Sequence, residues 1–237
     1  MTISVVTATY NSVAQLPRLI GSLRAQTDKD FEWVVADGGS TDGTLALLRD
    51  TTDLKAVISS QPDCGIYDAL NRAIKMSSGE YYVVIGADDR FSSNAIADFR
   101  KAALESGADI VAARVMSRGQ LLRIREGKAW RYGAGAFITS HSVGTLFRKA
   151  LHEQFGFYSR KLTIAADSLF VKQACLGGAK RYAASFVAGE FNAGGASTVD
   201  IAGALSDLLR VQLLTGENKP LQIALFVFRL VKHYKRI

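Results

Sequence analysis

The sequence predicts an α/β protein: a mostly parallel sheet covered by helices on both faces. Three observations predict it. Apolar, strand-like runs alternate with amphipathic helical stretches through residues 3–85. The strand-like runs read as buried, which suits a parallel sheet between two helical layers. Each run also ends in a polar signature, and in a parallel sheet those ends share one edge.

Residues 3–8 form the first strand. A helix over 16–25 follows, with Leu16, Leu19, Ile20 and Leu23 on one face; Pro17 is tolerated only near its first turn. The second strand is 31–36, a short helix 44–49 and the third strand 56–59. A helix over 66–76 carries Ile66, Ala69, Leu70, Ala73 and Ile74 as its inner stripe, and the fourth strand is 81–85. The second half is less regular. It holds a helix over 94–105 and a strand over 109–115. A partner strand over 120–125 turns at Ser117-Arg118-Gly119. A helix over 165–176 ends at Gly177-Gly178. From residue 201 the pattern is helical only, broken at Asn218-Lys219-Pro220. The expected division is a domain over 1–200 and a helical appendix over 201–237.

With 237 residues, 48% hydrophobic and 22% charged, the composition is globular. Only 3 prolines and no repeat or low-complexity run argue against a flexible linker. A net charge of +7 and a pI near 9.5 point to an anionic partner. Nucleic acid is not expected, because no known signature occurs and the aromatics are not interleaved with the basic stretch. The 2 cysteines, Cys64 and Cys175, lack metal spacing and read as reduced thiols. The amino terminus has no basic n-region and runs into a strand, and no apolar run has spanning length. The expectation is a cytoplasmic protein.

The first strand ends in Thr9-Tyr10-Asn11-Ser12 and the second in Asp37-Gly38-Gly39-Ser40-Thr41-Asp42-Gly43. After the third comes Asp63-Cys64-Gly65-Ile66-Tyr67-Asp68-Ala69-Leu70-Asn71, and the fourth ends in Ala87-Asp88-Asp89. Adjacent aspartates at a strand end are poor strand formers and are rarely buried without a partner or a metal. Hard carboxylate oxygens suit Mg²⁺ or Mn²⁺ held jointly with substrate phosphates. A lone Asp-Asp would read as a solvated turn; four polar ends on one edge read as a crevice.

On these motifs the sequence resembles family 2 glycosyltransferases of the GT-A fold. It is similar to the branch that assembles bacterial exopolysaccharide and lipopolysaccharide, including colanic-acid-type enzymes. The resemblance is specific over about the first ninety residues and looser to about Ser197. It implies an inverting transfer from a nucleotide-sugar donor, of uridine type, to a saccharide or polyprenyl-diphosphate-linked acceptor. It places Asp37 against the uracil imide, Thr9 and Tyr10 beside base and ribose, Asp88 at the ribose and Asp89 on the metal. Asp63 joins the donor side. Asp68 and Asn71 share a helix face and either meet the donor or cap the helix. Many relatives carry an arginine where Leu70 stands, which puts a cationic donor contact from this helix in doubt. Asp167 matches the family's general base; a helix N-cap is its plainer reading. His141 would stand on the acceptor side, or be structural. Residues 191–197 resemble a glycine-rich loop over the donor diphosphate, or are a simple turn.

Arg114, Arg118, Arg123, Arg125, Lys128 and Arg131 form a basic stretch that meets an anionic acceptor or lipid, or is a solvated face. Residues 221–237 are apolar with a basic end. They suit an interfacial membrane anchor at the inner face of the cytoplasmic membrane, or a helix docked on the domain or a second subunit. The alternative, a sugar-1-phosphate nucleotidyltransferase, normally needs a Gly-rich basic loop where Thr9-Tyr10-Asn11-Ser12 stands; a dehydrogenase is not expected, because no G-x-G-x-x-G follows the first strand.

Overall fold

The computed structural model describes residues 1–122, 124–125, 127–139, 141–192 and 199–236, of Arg236 the backbone only. Four strands run parallel: β1 (Ile3–Thr9), β2 (Phe31–Asp37), β3 (Ala56–Ser60) and β4 (Tyr81–Val84). The connections are α1 (Leu16–Arg24), α2 (Thr44–Asp50) and α3 (Ile66–Met76). After β4 the chain forms β5 (Arg90–Phe91), α4 (Ala95–Ser106), β6 (Ile110–Ser117) and β7 (Gln120–Leu122). The short helices α5 (Ala129–Tyr132) and α6 (Leu151–Phe155) flank β8 (Thr145–Arg148). Then come α7 (Ala166–Leu176), β9 (Arg181–Glu190), α8 (Ile201–Leu214) and α9 (Lys219–His233). The sheet order is β3-β2-β1-β4-β8-β6-β9-β5, with β7 hanging from β6.

The sheet is mixed. β8 runs antiparallel to both β4 and β6, so the parallel half and the second half meet across one reversed strand. β6 and β9 pair in parallel through a bulge around Arg114. The β6–β7 turn places Arg118 and Gly119 at φ 48° and 73°, the left-handed pair of a tight two-residue hairpin.

Side-chain alternation divides the interior into two cores. Ile3, Val5, Trp33, Val35, Tyr81 and Val83 face α1, α2 and α4. Val6, Val34, Ala36, Tyr82 and Val84 face α3, α6 and α7, and α8 adds Val211 to that side. The expected stripe of α3 needs one correction. Ile66 is exposed while Tyr67 and Asn71 are buried, because the first turn of α3 lies at the crevice mouth. Asp207, Gln212 and Gln222 of the last two helices are buried, and fully buried Lys172 of α7 bonds Gln212 Oε1 and Glu217 Oε1.

Candidate functional site

The ends of β1 and β2 are laced together. The Asn11 side chain accepts the Thr41 N–H at 3.0 Å, and Asp42 accepts from Val13 at 3.2 Å. Asp37 is fully buried at the centre. Its carboxylate accepts from the hydroxyls of Thr9, Ser40 and Ser60 and from the N–H groups of Gly39 and Ser40. Burial pushes its pKa up, but these donors, Ser40 foremost, outweigh burial and hold it below the usual carboxylate range. An incoming imide N–H would have to displace one of the three rotatable hydroxyls. Asp63 is more open. Its Oδ1 accepts from Gly65, and its Oδ2 sits where a Cβ on Gly38 would come within 2.8 Å. The same Cβ would lie 3.3 Å from the Tyr10 ring, and Tyr10 itself is exposed. Glycine at 38 therefore lets Asp63 and Tyr10 close around the Asp37 turn.

Arg72 is the cation that sequence reasoning missed. It donates to the Asp37 carbonyl at 2.7 Å and lies 4.0 Å from Asp63 Oδ2, and its buried Nε finds no partner among the described residues. Leu70, the position at which the resemblance put a cationic contact in doubt, is core. The signal was available: Arg72 is four residues from Asp68 on the same helix face. Asp68 and Asn71 are turned elsewhere. Asp68 accepts from the Cys64 N–H and pairs with Arg160 at 3.2 Å. The Asn71 carboxamide clamps both backbone groups of Tyr158, at 2.8 and 2.9 Å. Together with Arg72, both residues border a groove of about 440 Å³ running to Phe157 and Arg160.

Asp88 and Asp89 follow β4. Asp89 is 2% exposed; its Oδ2 accepts from Gly86 and its Oδ1 from Asn192. Gly86 has no room for a Cβ, which would fall 2.8 Å from Asp89 and 3.0 Å from Asp88. Burial, with Asp88 adding like-charge repulsion, pushes Asp89 up to about 6, against the pull of the two N–H groups. Adjacent carboxylates short of positive charge are the donor set that a divalent cation relieves, so the pair fits Mg²⁺ or Mn²⁺. Among the described residues no three Asp, Glu, His or Cys side chains converge as a metal cage. A cation here would need substrate oxygens, as Mg²⁺ commonly does. At the rim Arg18 and Arg90 share Glu190.

His141 stands 3.9 Å from Asp89 Oδ2 and stacks on Phe191, with ring centroids 4.0 Å apart. Burial lowers it to about 4, against the attraction of Asp167 and Asp88, so it is neutral near pH 7. Asp167, in the first turn of α7, is half-buried. Burial raises its pKa, outweighing the Tyr67 hydroxyl and the Ser168 N–H, which both bind its Oδ1. Its Oδ2 makes no hydrogen bond among the described residues. The Tyr67 hydroxyl lies 2.7 Å from the Ile164 carbonyl and 2.9 Å from Asp167. It has one proton for two acceptors, so it donates to Asp167 when that group is ionised and can receive from it when protonated. Tyr67 was another unrecognised member, hidden inside the motif running from Asp63 to Asn71.

The parallel ends of β1, β2 and β4 thus set Tyr10, Asp37, Asp88 and Asp89 along one edge of the sheet; Arg72 joins Asp37 to Asp63, and His141 lies beside Asp89 and within electrostatic reach of Asp88 and Asp167. The glycine-rich stretch over 193–198 and Arg123 of the basic run fall outside the described residues.

A mixed, curled sheet bearing polar strand ends of this kind is a GT-A-type fold. The Glycosyl transferase family 2 model matches residues 4–167, and the chain belongs to that family. It is 30% identical over 182 residues to an uncharacterized glycosyltransferase of Mycobacterium tuberculosis, covering 74% of this chain and 69% of that one. It is 38% identical over 89 residues to a PGL/p-HBAD biosynthesis glycosyltransferase of Mycobacterium bovis, a match spanning 36% of this chain and only 35% of the relative. Among solved structures it resembles S. aureus TarS 1-349 in complex with UDP, at TM-score 0.72 and 21% identity over 99% of this chain and 72% of that one. It also resembles a Pyrobaculum calidifontis mannosyltransferase in complex with GDP-Man and Mn²⁺, at TM-score 0.73 and 20% identity over 98% and 71%. These structural likenesses concern the fold.

Proposed function

We propose that this glycosyltransferase moves a sugar, with inversion, from a uridine-diphosphate donor to a saccharide or lipid-linked acceptor in cell-surface polysaccharide synthesis. The observation that carries the reading is His141, within electrostatic reach of Asp88, Asp89 and Asp167. It ties the carboxylate pair after β4 to a second, separate carboxylate on α7. Inverting transfer needs those two parts. The first would hold a cation able to neutralise the diphosphate; the second takes a proton from the attacking hydroxyl.

Asp63, Arg72 and Tyr10 hold the nucleoside, with Asp37 shaping the turn beneath them. Asp88 meets the ribose. Asp89 would hold Mg²⁺ or Mn²⁺, and the ion when bound would supply Lewis-acid neutralisation of the diphosphate's charge. Asp167 accepts the acceptor proton on Oδ2, while Tyr67 and Ser168 fix Oδ1. Burial raises its pKa, so its ionised form binds a proton more tightly than an ordinary carboxylate does. His141 stays neutral and borders the acceptor side. Two features support work at an anionic membrane surface: the surplus of positive charge and the basic, apolar α9.

Calorimetry with UDP tests the metal half. Asp89→Ala should abolish the Mn²⁺-dependent part of UDP binding. Asp167→Asn should keep it and lose about 10²- to 10⁴-fold in turnover. Unchanged metal-dependent binding in Asp89→Ala, or turnover within a fewfold in Asp167→Asn, sinks the assignment.

A further inference from the structure

The C-terminal helices reach the candidate base. Asp207, in the middle of α8, is 4% exposed. Its Oδ2 accepts from the N–H groups of both Ile164 and Ala165, at 2.9 and 3.2 Å. These two residues directly precede α7, whose first turn carries Asp167. A buried carboxylate taking two N–H donors makes charge-assisted bonds, stronger than neutral ones. Ala165, the N-cap of α7, has no side-chain oxygen, and the Ser168 N–H one turn on is taken by Asp167 itself; Asp207 instead anchors the N–H groups of the two residues leading into the helix. The same short segment is gripped from the other side, because the Ile164 carbonyl accepts the Tyr67 hydroxyl that also touches Asp167. Beyond Asp167, buried Lys172 ties α7 to Gln212 of α8 and to Glu217.

We propose that Asp207 is a positioning residue for Asp167, fixing the turn that presents its carboxylate and making α8 part of the catalytic frame. The proposal rests on the reading of Asp167 as general base. A plain helix cap would act on stability alone. A positioning residue acts on turnover at constant donor affinity, because small misplacements of a reacting group cost up to about 10²-fold.

The conservative variant separates the two roles. Both N–H groups bond the same oxygen, so the single amide oxygen of Asp207→Asn can take its place. Asp207→Ala removes it. The full chain is assayed for UDP release with Mn²⁺, using whichever of UDP-glucose and UDP-N-acetylglucosamine it hydrolyses faster. UDP affinity is measured by calorimetry and deuterium uptake across 163–170 by mass spectrometry. In Asp207→Ala, kcat should fall about tenfold or more, with KM and the Kd for UDP within about twofold. Uptake should rise at 163–170 and nowhere else. Asp207→Asn should restore both. Turnover within twofold in Asp207→Ala overturns the proposal, as does a Kd for UDP that rises in step with the lost activity. If Asp207→Ala fails to fold, Asp207→Glu replaces it. That side chain keeps the charge but shifts the accepting oxygen, and unaltered kcat there overturns the proposal equally. Full turnover in Asp167→Asn would instead remove the base reading, while the uptake comparison still reports whether Asp207 holds 164–165.

Discussion

At the scale of residues, the carboxylates after β2 and β3 differ in how their oxygens are engaged. Asp37 has five donors on two oxygens and no exposure, whereas Asp63 keeps an oxygen beside Tyr10 and Arg72. Asp37→Ala should therefore strip partners from buried donors and destabilise the fold by about 2–4 kcal/mol. Asp63→Ala and Arg72→Ala should leave the urea midpoint nearly unchanged and weaken metal-free UDP binding about tenfold or more. Equal loss of stability in all three variants would refute the division. Asp89 gives a pH prediction. Its pKa is about 6 in the fold and near 3.8 in the unfolded chain. The native state therefore holds the proton more tightly, and this group's stabilisation is complete below about pH 4 and lost as pH rises through 6. Asp89→Asn does not titrate there. Relative to that variant, the metal-free protein should lose on the order of 2–3 kcal/mol between pH 4 and 7. Added Mn²⁺ should shrink the loss. A constant difference in unfolding free energy across that range would show that Asp89 carries no unmatched charge.

At the scale of elements, the first half of the chain was legible and the second half much less so. β1 to β4 and α1 to α4 follow strong periodicities, and Asp37, Asp63, Asp88 and Asp89 sit at strand ends visible as breaks in apolar runs. β8 was missed because four residues carry too little pattern. β9 was missed because Ala183, Ala184, Ser185, Ala188 and Gly189 have weak strand preference; the ladder to β6 and the Phe99–Phe186 contact supply what propensity lacks. Tyr67 and Asp207 gain their meaning from neighbours about 40 to 100 residues away in sequence, which no local window contains, and Arg72 owes its bond to the Asp37 carbonyl to the same long range. The same holds for Lys172, which reads as a surface lysine on a helix and is fully buried. Lys172→Met keeps volume but leaves Gln212 and Glu217 without their donor. Because Glu217 remains partly exposed, the expected cost is about 2 kcal/mol in urea unfolding, below that of a fully buried broken pair. A change under about 0.5 kcal/mol would mean that the α7–α8 junction does not depend on this bond.

At the scale of the molecule, the open question is what the last helix faces. No helix among the described residues is long and apolar enough to cross a membrane. Yet Ile223, Val227, Val231 and Tyr234 are exposed at spacings of four, four and three, a single stripe, with Leu221 and Phe228 also exposed. Lys219 opens the helix, and Lys232, His233 and Lys235 close it. The opposite side is tied down: fully buried Gln222 donates to the Trp130 carbonyl, and Arg229 to that of Arg131. An apolar stripe between cationic ends, on a chain of net charge +7, matches a helix lying in an anionic lipid surface. Removing the whole segment would break the Gln222 bond and confuse anchoring with folding, so substitutions on the stripe are the cleaner probe. The triple variant Val227→Ser, Phe228→Ser, Val231→Ser should keep the unfolding midpoint within about 0.5 kcal/mol of the parent, as exposed positions usually do. It should also release the protein from vesicles rich in phosphatidylserine. Charge reversal at Lys232 and Lys235 should make the remaining binding less salt-sensitive, since each lysine near such a surface contributes about 1 kcal/mol within a Debye length. Parent protein that ignores these vesicles at low salt would rule out the lipid. If the triple variant instead changed only the sedimentation of the parent from dimer to monomer, the stripe would be the contact between two copies of the chain.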